Sequence, residues 1–219
     1  MLSYAEENYL KTIYHLSDHG KTDVSTNAIA EVLNTKPASV TDMLKKLAVK
    51  NVIRHIPYQG VTVSDEGKIA ALKVIRKHRL WEVFLVEKLK FNWDEVHDVA
   101  EQLEHINSAL LIERLDEFLG FPKHDPHGDP IPDAHGEIVI KAKIPISDFE
   151  INQSGIVSAV TDSSSLFLQY LDKIGIYIGA KIKVLDKIEY DNSIEILLDN
   201  KRTVTISKEA SKNLMVIER

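Results

Sequence analysis

The sequence predicts a mainly α-helical protein with a small β domain at its C-terminal end. Apolar residues recur at the spacing of amphipathic helices as far as residue 119. A loop rich in Pro, Gly and His follows over residues 120–133, and from residue 137 onward short β-prone runs alternate with turn residues. The 219 residues suffice for about two or three small domains, each with its own core.

Composition limits the classes of protein to which the chain can belong. The absence of cysteine excludes disulfides, thiolate metal sites and cysteine nucleophiles. Apolar runs stay well short of the roughly 20 residues that span a bilayer, and the N-terminus lacks a signal-peptide pattern, so we expect a cytoplasmic protein without a membrane partner. The net charge of −6 hides a basic block over residues 35–80 and an acidic block over residues 94–117. This asymmetry indicates one part that binds a polyanion and another that binds cations.

Three short helices are predicted at the N-terminal end, over residues 3–16, 26–33 and 37–49. Ser25 caps the second helix, and Pro37 takes the first position of the third. Because the third helix shows small polar residues and lysines on its outward face, the second and third helices together predict a helix-turn-helix.

A two-stranded hairpin completes this pattern. β-prone runs over residues 52–56 and 61–63 flank a turn at residues 57–60. Three helices followed by such a wing are typical of a winged helix-turn-helix, whereas the alternative is a plain helical hairpin within a core. We favour DNA binding, with the third helix in the major groove. The residues expected at the DNA are Thr26, Lys36, Pro37, Ala38, Ser39, Thr41, Asp42, Lys45, Lys46 and Tyr58.

The next two predicted helices offer metal ligands. His78 and Glu82 lie one turn apart in a long helix over residues 66–90. In a helix over residues 94–106, two imidazoles and two carboxylates fall within a sector of about 100°; they are His97, Glu101, Glu104 and His105. The opposite side carries a core-facing stripe of Val96, Val99, Leu103, Ile106 and Leu110. This spacing suits a metal ion, although a hydrated polar face has the same pattern.

The remaining segments complete the fold class. Residues 109–119 carry more apolar surface than one small domain needs, which indicates a dimer interface. In the loop, Asp125 and His127 are separated by one proline and form either a ligand pair or part of a plain linker. A helix over residues 164–174 and several short strands predict a small barrel of SH3-like size. The strands are expected over residues 137–144, 149–160, 181–188, 194–198, 203–206 and 214–217.

The sequence resembles the diphtheria toxin repressor family of metal-activated bacterial repressors, and most of all its manganese-responsive members. The stretches that carry the resemblance are residues 7–14, 76–80, 95–98, 103–105, 126–128 and 130–132, while residues 171–176 with Gly179 look like the FeoA-type SH3-like domain. The resemblance implies a winged helix-turn-helix domain over residues 1–72, a helical metal-binding and dimerisation domain over residues 73–136, and an SH3-like FeoA-type barrel over residues 137–219.

The resemblance also implies two metal sites. The site nearest the DNA-binding domain would comprise Asn8, His78, Glu101, Glu104 and His105. The second would draw on Glu82, Asp125, His127 and Asp162, with His97 nearby. Asn8 stands where the family has methionine or aspartate, Glu101 stands where iron-type members have cysteine, and Asp125 stands where several relatives have cysteine. Such oxygen and nitrogen ligands suit Mn²⁺; Fe²⁺ is the alternative, and Co²⁺ or Zn²⁺ would also bind in vitro.

We therefore expect a Mn²⁺-dependent repressor of metal-uptake genes that binds a palindromic operator as a homodimer and is not an enzyme. Without metal, the clustered carboxylates would repel one another, so a divalent ion would shift the protein to its DNA-binding form. An Fe²⁺-dependent repressor is the nearest alternative. A dinuclear metallohydrolase is a poor fit because a nucleophile, a phosphate-binding glycine loop and a convincing general base are all lacking. A metal-independent winged-helix adaptor would show no rise in melting temperature with Mn²⁺.

Overall fold

A computed structural model describes residues 2–56, 60–139 and 142–218. The chain forms two compact units, each built from separate segments. The first unit comprises Met1–Trp81, Ala100–Glu117 and Ile131–Ile138. The second comprises Glu82–Val99, Phe118–Pro130 and Val139–Arg219. Within the described residues, no helix is long and apolar enough to cross a membrane.

The first unit begins with the three predicted helices, which are α1 (Tyr4–Leu16), α2 (Thr26–Val32) and α3 (Pro37–Val49). Ser3 and Glu6 form a capping box at the start of α1, and the Ser25 hydroxyl accepts a hydrogen bond from the Ala28 amide at the start of α2. The apolar faces of all three helices meet in one core, in which Leu10, Ile13, Ile29, Leu44 and Leu47 are fully buried.

The wing follows α3 as predicted. Strands β1 (Ile53–Ile56) and β2 (Gly60–Val63) pair antiparallel, and Val24 joins them through a bridge to Val61. Tyr58, which the sequence places at the DNA, lies outside the described residues. The order of three helices and a two-stranded wing confirms the winged helix-turn-helix.

Three further helices follow the wing, namely α4 (Asp65–Glu87), α5 (His97–Leu103) and α6 (Ala109–Phe118). The prediction of one helix over residues 94–106 was too long at both ends. A turn before α5 is held by the Asn92 amide, which donates to Glu95 Oε2 at 3.0 Å. After α5 the Ile106 amide bonds to the Leu103 carbonyl, which tightens the last turn. The apolar stripe is therefore interrupted, and Leu110 is 64% exposed instead of facing a core.

The second unit contains a six-stranded antiparallel sheet in the order β3-β8-β4-β5-β6-β7. The strands are β3 (Ile144–Pro145), β4 (Ser154–Val160), β5 (Lys181–Ile188), β6 (Ser193–Leu198), β7 (Arg202–Ile206) and β8 (Leu214–Glu218). Helices α7 (Ser165–Ile174) and α8 (Lys208–Asn213) accompany them, with a short 3-10 turn over Ile146–Asp148. Phe149, Leu168, Val184 and Ile196 lie in its core.

Two predicted strands are shorter than expected. Of residues 137–144, the described residues 137–139 lie outside any strand because the Asp133 carboxylate accepts hydrogen bonds from the amides of His135 and Glu137 and holds a turn. The strand predicted over residues 149–160 begins only at residue 154, since Asn152 adopts a φ of 74°. Helix α8 was not predicted, although Ser207 caps it by accepting from the Ala210 amide.

Candidate metal centres and DNA-binding face

The first cluster brings together side chains of α1, α4, α5 and the two residues after α5. Glu104 is fully buried, and its Oε2 lies 2.6 Å from His78 Nδ1. Glu104 Oε1 lies 3.3 Å from His105 Nε2, while Glu101 Oε1 lies 4.0 Å from His78 Nδ1. Asn8 lies on α1 in the same unit. All five residues that the resemblance assigns to one site therefore lie in the first unit.

Two buried atoms of the five residues assigned to this site make no hydrogen bond, namely Asn8 Oδ1 and His105 Nε2. A buried polar atom without a partner costs about 1–3 kcal/mol, so folded proteins rarely retain one without a use. His105 Nδ1 donates to Glu7 Oε2 at 2.6 Å, which orients the ring and leaves Nε2 as a lone-pair donor. His105 Nε2, which lies 3.3 Å from the buried carboxylate of Glu104, fits a ligand of a divalent metal ion. Asn8 Oδ1 is a further oxygen donor on α1, the helix whose Glu7 and Lys11 contact this cluster.

The sequence interpretation missed Lys11, whose ammonium lies between the carboxylates of this cluster. Lys11 Nζ contacts Glu101 Oε1 and lies 2.7 Å from Glu104 Oε1. Burial favours the neutral form of Glu104, but the His78 hydrogen bond and the Lys11 charge outweigh it and hold its pKa below the usual value. The expected repulsion between bare carboxylates is thus already offset by a lysine. The available signal was the position of Lys11 one turn after Asn8 on α1.

The second cluster consists of Glu82, Asp125 and His127, all of them buried. One ligand atom from each lies within 4.8 Å of the others. His127 Nε2 lies 2.9 Å from the Trp93 carbonyl, and because a carbonyl only accepts, Nε2 carries the proton. Nδ1, which is 3.8 Å from Glu82 Oε2, is then the nitrogen placed to bind a metal. Burial opposes the charge on His127, but Glu82 outweighs it and raises the pKa of the imidazole to about 8.

The backbone around His127 fixes this cluster against the sheet. Asp125 Oδ1 accepts hydrogen bonds from the amides of His127 and Asp129, which closes a tight turn. Gly128 has a φ of 86°, and a Cβ atom there would lie 2.0 Å from the Ser158 carbonyl oxygen on β4. The Val160 amide also donates to the His127 carbonyl at 3.0 Å. The loop therefore holds Asp125 and His127 rigidly, which is more than a plain linker requires.

Two residues assigned to the second site are not members of this three-residue group. His97 Nδ1 is 3.8 Å from Glu82 Oε1, but its side chain is 52% exposed. Asp162 Oδ1 accepts a hydrogen bond from the Ser164 amide at the start of α7. The assignment of both residues as ligands stays a prediction.

The proposed DNA face lies on α3 and the residue before it. Eight side chains are exposed there and Thr26 on α2 is half-buried. Two local contacts order this face: Thr41 Oγ1 donates to the Pro37 carbonyl, and Lys45 pairs with Asp42 at 3.0 Å. The exposed residues are Lys36, Pro37, Ala38, Ser39, Thr41, Asp42, Lys45 and Lys46.

Three family models match successive parts of the chain. Residues 1–61 match the N-terminal DNA-binding domain of iron-dependent repressors, residues 64–133 match the metal-binding and dimerisation domain of the same proteins, and residues 144–218 match the FeoA domain. An uncharacterized HTH-type transcriptional regulator of Methanocaldococcus jannaschii is 35% identical over 118 residues, which are 54% of this chain and 94% of that protein. The chain belongs to the diphtheria toxin repressor family of metal-dependent transcriptional repressors.

Other members of the family are similar over different lengths. The iron-dependent repressor IdeR of Mycobacterium tuberculosis is 34% identical over 126 residues, which are 58% of this chain and only 54% of IdeR. A manganese-dependent transcriptional repressor solved in complex with manganese is 35% identical, with a TM-score of 0.87 over 98% of this chain and 100% of that one. The manganese regulator SloR is 29% identical with a TM-score of 0.75 over 98% of each chain.

Family membership confirms the fold class and the class of function. The chain is a DNA-binding, metal-dependent repressor of a family that forms dimers, and this family does not consist of enzymes. The metallohydrolase alternative has no support among the relatives.

Proposed function

We propose that this protein is a Mn²⁺-activated repressor of metal-uptake genes that binds a palindromic operator as a homodimer. The observation that carries the proposal is His105 Nε2, a buried nitrogen that makes no hydrogen bond and lies 3.3 Å from Glu104 Oε1. Asn8 Oδ1, also buried without a hydrogen bond, lies on the helix whose Glu7 and Lys11 contact the same cluster. The donors in both clusters are oxygen and nitrogen, which favours Mn²⁺ over softer ions. Solved relatives include manganese-dependent repressors, whereas IdeR is iron-dependent, so Fe²⁺ remains the alternative activator.

The first cluster links the DNA-binding helices to the rest of the first unit. Asn8 lies on α1, and Leu10 and Ile13 of the same helix pack in one core with Leu44 of α3. A divalent ion, when bound, supplies positive charge and coordinate bonds that join these ligands. Asn8 then transmits the position of Glu104 and His105 to α1 and so to α3. Because metal and DNA favour the same form, DNA must raise metal affinity by the factor by which metal raises DNA affinity.

The DNA-binding geometry follows from α3. We assign Ser39, Thr41 and Asp42 to base edges and the nearby lysines to phosphates. Two copies related by a two-fold axis would read two inverted half-sites, which gives a palindrome. Because a repressor must reach the DNA that it binds, we propose that the protein is cytoplasmic.

We further propose that Glu82, Asp125 and His127 hold a second ion, with Asp162 and His97 completing the ligand set. The three domains are proposed to span residues 1–72, 73–136 and 137–219, so that the second ion binds beside the C-terminal barrel. The ordered loop supports this second site, because the amides of His127 and Asp129 donate hydrogen bonds to Asp125 Oδ1 and fix Asp125 and His127.

A binding assay tests the activation step. A duplex selected from a random pool in the presence of Mn²⁺ is titrated with the full chain, and fluorescence anisotropy is read with Mn²⁺ and again after chelation. We expect affinity to fall at least about tenfold on chelation, a coupling of about 1.4 kcal/mol. Equal affinity in both conditions would contradict the metal switch, and strong activation by Fe²⁺ alone would favour the iron alternative.

A further inference from the structure

Lys11 contributes a cation of its own to the first cluster. Its ammonium touches the carboxylates of Glu101 and Glu104, and its side chain is only 13% exposed. Two of the negative charges available to a metal ion are thus already shared with a fixed positive charge that is sheltered from water. Lys11 and Asn8 lie one turn apart on α1, so the same helix supplies a ligand and a competing cation.

The donor atoms of this cluster fall into two sets. Glu101 Oε1 and Glu104 Oε1 contact Lys11, and Glu104 Oε2 pairs with His78. Asn8 Oδ1 and His105 Nε2 are buried without a hydrogen bond. Asn8 Oδ1 and His105 Nε2 can bind one cation without the loss of a hydrogen bond, because the approach of His105 Nε2 to Glu104 Oε1 at 3.3 Å is not a hydrogen bond. A second cation between Glu101 and Glu104 would meet the ammonium of Lys11.

We propose that Lys11 confines the first cluster to a single divalent ion and lowers the affinity for that ion. A divalent ion a few ångströms from an ammonium is repelled, and this repulsion is strong where water is excluded. The negative charges of Glu101 and Glu104 are also too few to neutralise the ammonium of Lys11 and two divalent ions together. Lys11 therefore sets both the number of ions and the concentration at which the repressor responds. This inference rests on the proposed function but concerns the number of ions, not whether metal activates.

Metal counting tests the inference in the full chain. His127→Ala serves as the background in every sample, so that only the first cluster is counted. Mn²⁺ bound per chain is measured by equilibrium dialysis, and low-temperature EPR distinguishes an isolated ion from a coupled pair. With Lys11 present we expect one ion and an uncoupled signal. Lys11→Glu adds a carboxylate and should give two ions with an exchange-coupled signal. Lys11→Gln should keep one ion but bind it at least about tenfold more tightly.

Lys21→Glu is the control for charge reversal, because Lys21 lies outside the first cluster and pairs with Asp18 at 3.1 Å. It should leave the count at one. Two ions in the background protein, or an unchanged affinity in Lys11→Gln, would overturn the inference. If circular dichroism shows that Lys11→Glu does not fold, the Mn²⁺ affinity of Lys11→Gln alone tests the inference. A first cluster that binds no Mn²⁺ with or without Lys11 would instead refute the proposed function.

Discussion

At the residue scale, Glu104 is the central residue of the first cluster. It is fully buried and contacts His78, Lys11 and His105 at once. Glu104→Gln keeps its shape but removes the charge that a divalent ion needs. The wild type should gain about 2.7 kcal/mol of stability when free Mn²⁺ is a hundred times the dissociation constant. We expect the variant to lose most of this gain.

Thermal melts with and without Mn²⁺ measure the effect of Glu104→Gln. Glu101→Gln is a milder comparison, because the Glu101 side chain is 29% exposed and less desolvated. An equal rise in melting temperature for the wild type and Glu104→Gln would show that Glu104 has only a structural role.

Variants of Asn8 distinguish a metal-binding role from a structural one, because the two roles predict different changes in metal-free stability and in Mn²⁺ affinity. Its buried Oδ1 makes no hydrogen bond, so Asn8→Leu removes a group that destabilises the metal-free protein. We expect the metal-free stability of Asn8→Leu to stay equal or rise by up to about 1–3 kcal/mol. Its Mn²⁺ affinity should fall, whereas Asn8→Asp should raise that affinity by adding a charge. Denaturant titration and calorimetric Mn²⁺ titration give the two quantities, and a structural asparagine would lose stability without changing affinity.

At the scale of elements, the loop before the barrel is the least tolerant part of the second cluster. A side chain at Gly128 would collide with the Ser158 carbonyl and strain a left-handed backbone. Gly128→Ala should therefore destabilise the protein by more than about 1–2 kcal/mol, the ordinary cost of the left-handed conformation. Gly128→Ala should also lower the affinity of the second cluster for Mn²⁺, because His127 moves with the loop.

Gly120→Ala is the control for Gly128→Ala. Gly120 also has a positive φ, of 75°, but its added Cβ would contact nothing within 4 Å. Gly120→Ala should be destabilised only by backbone strain, and its affinity for each of the two Mn²⁺ ions should be unchanged. Equal losses in the two variants, measured by denaturant titration and Mn²⁺ binding, would mean that contact with Ser158 does not position the loop.

Local sequence signals predict the elements better than they predict the contacts of the site. The caps at Ser25 and the proline at position 37 place α2 and α3 correctly, because capping depends on a few neighbouring residues. The ends of α5 were misplaced because side chains of a turn compete with the helical pattern. Lys11 and Glu7 were missed because they meet Glu101 and His105 only after a segment some ninety residues away folds onto α1.

At the scale of the whole molecule, we assign the dimer interface to the apolar face of α6. Leu110 is 64% exposed and Leu111 is 39% exposed, whereas Leu115 on the same helix is buried. Exposed leucines at adjacent positions of one helix favour burial against a second copy. The chain belongs to a family with a dimerisation domain that matches residues 64–133, which include this helix.

Leu110→Glu tests this assignment, because a charge at the centre of an apolar interface loses its hydration on association. We expect the variant to sediment as a monomer at concentrations at which the wild type is a dimer. Its operator affinity should fall by about a hundredfold or more, since one half-site contact replaces two. Its first metal cluster should still bind Mn²⁺, because Leu110 lies outside it. Leu166→Glu, at a leucine that is 83% exposed on α7, should remain dimeric. A dimeric Leu110→Glu with full operator affinity would place the interface elsewhere.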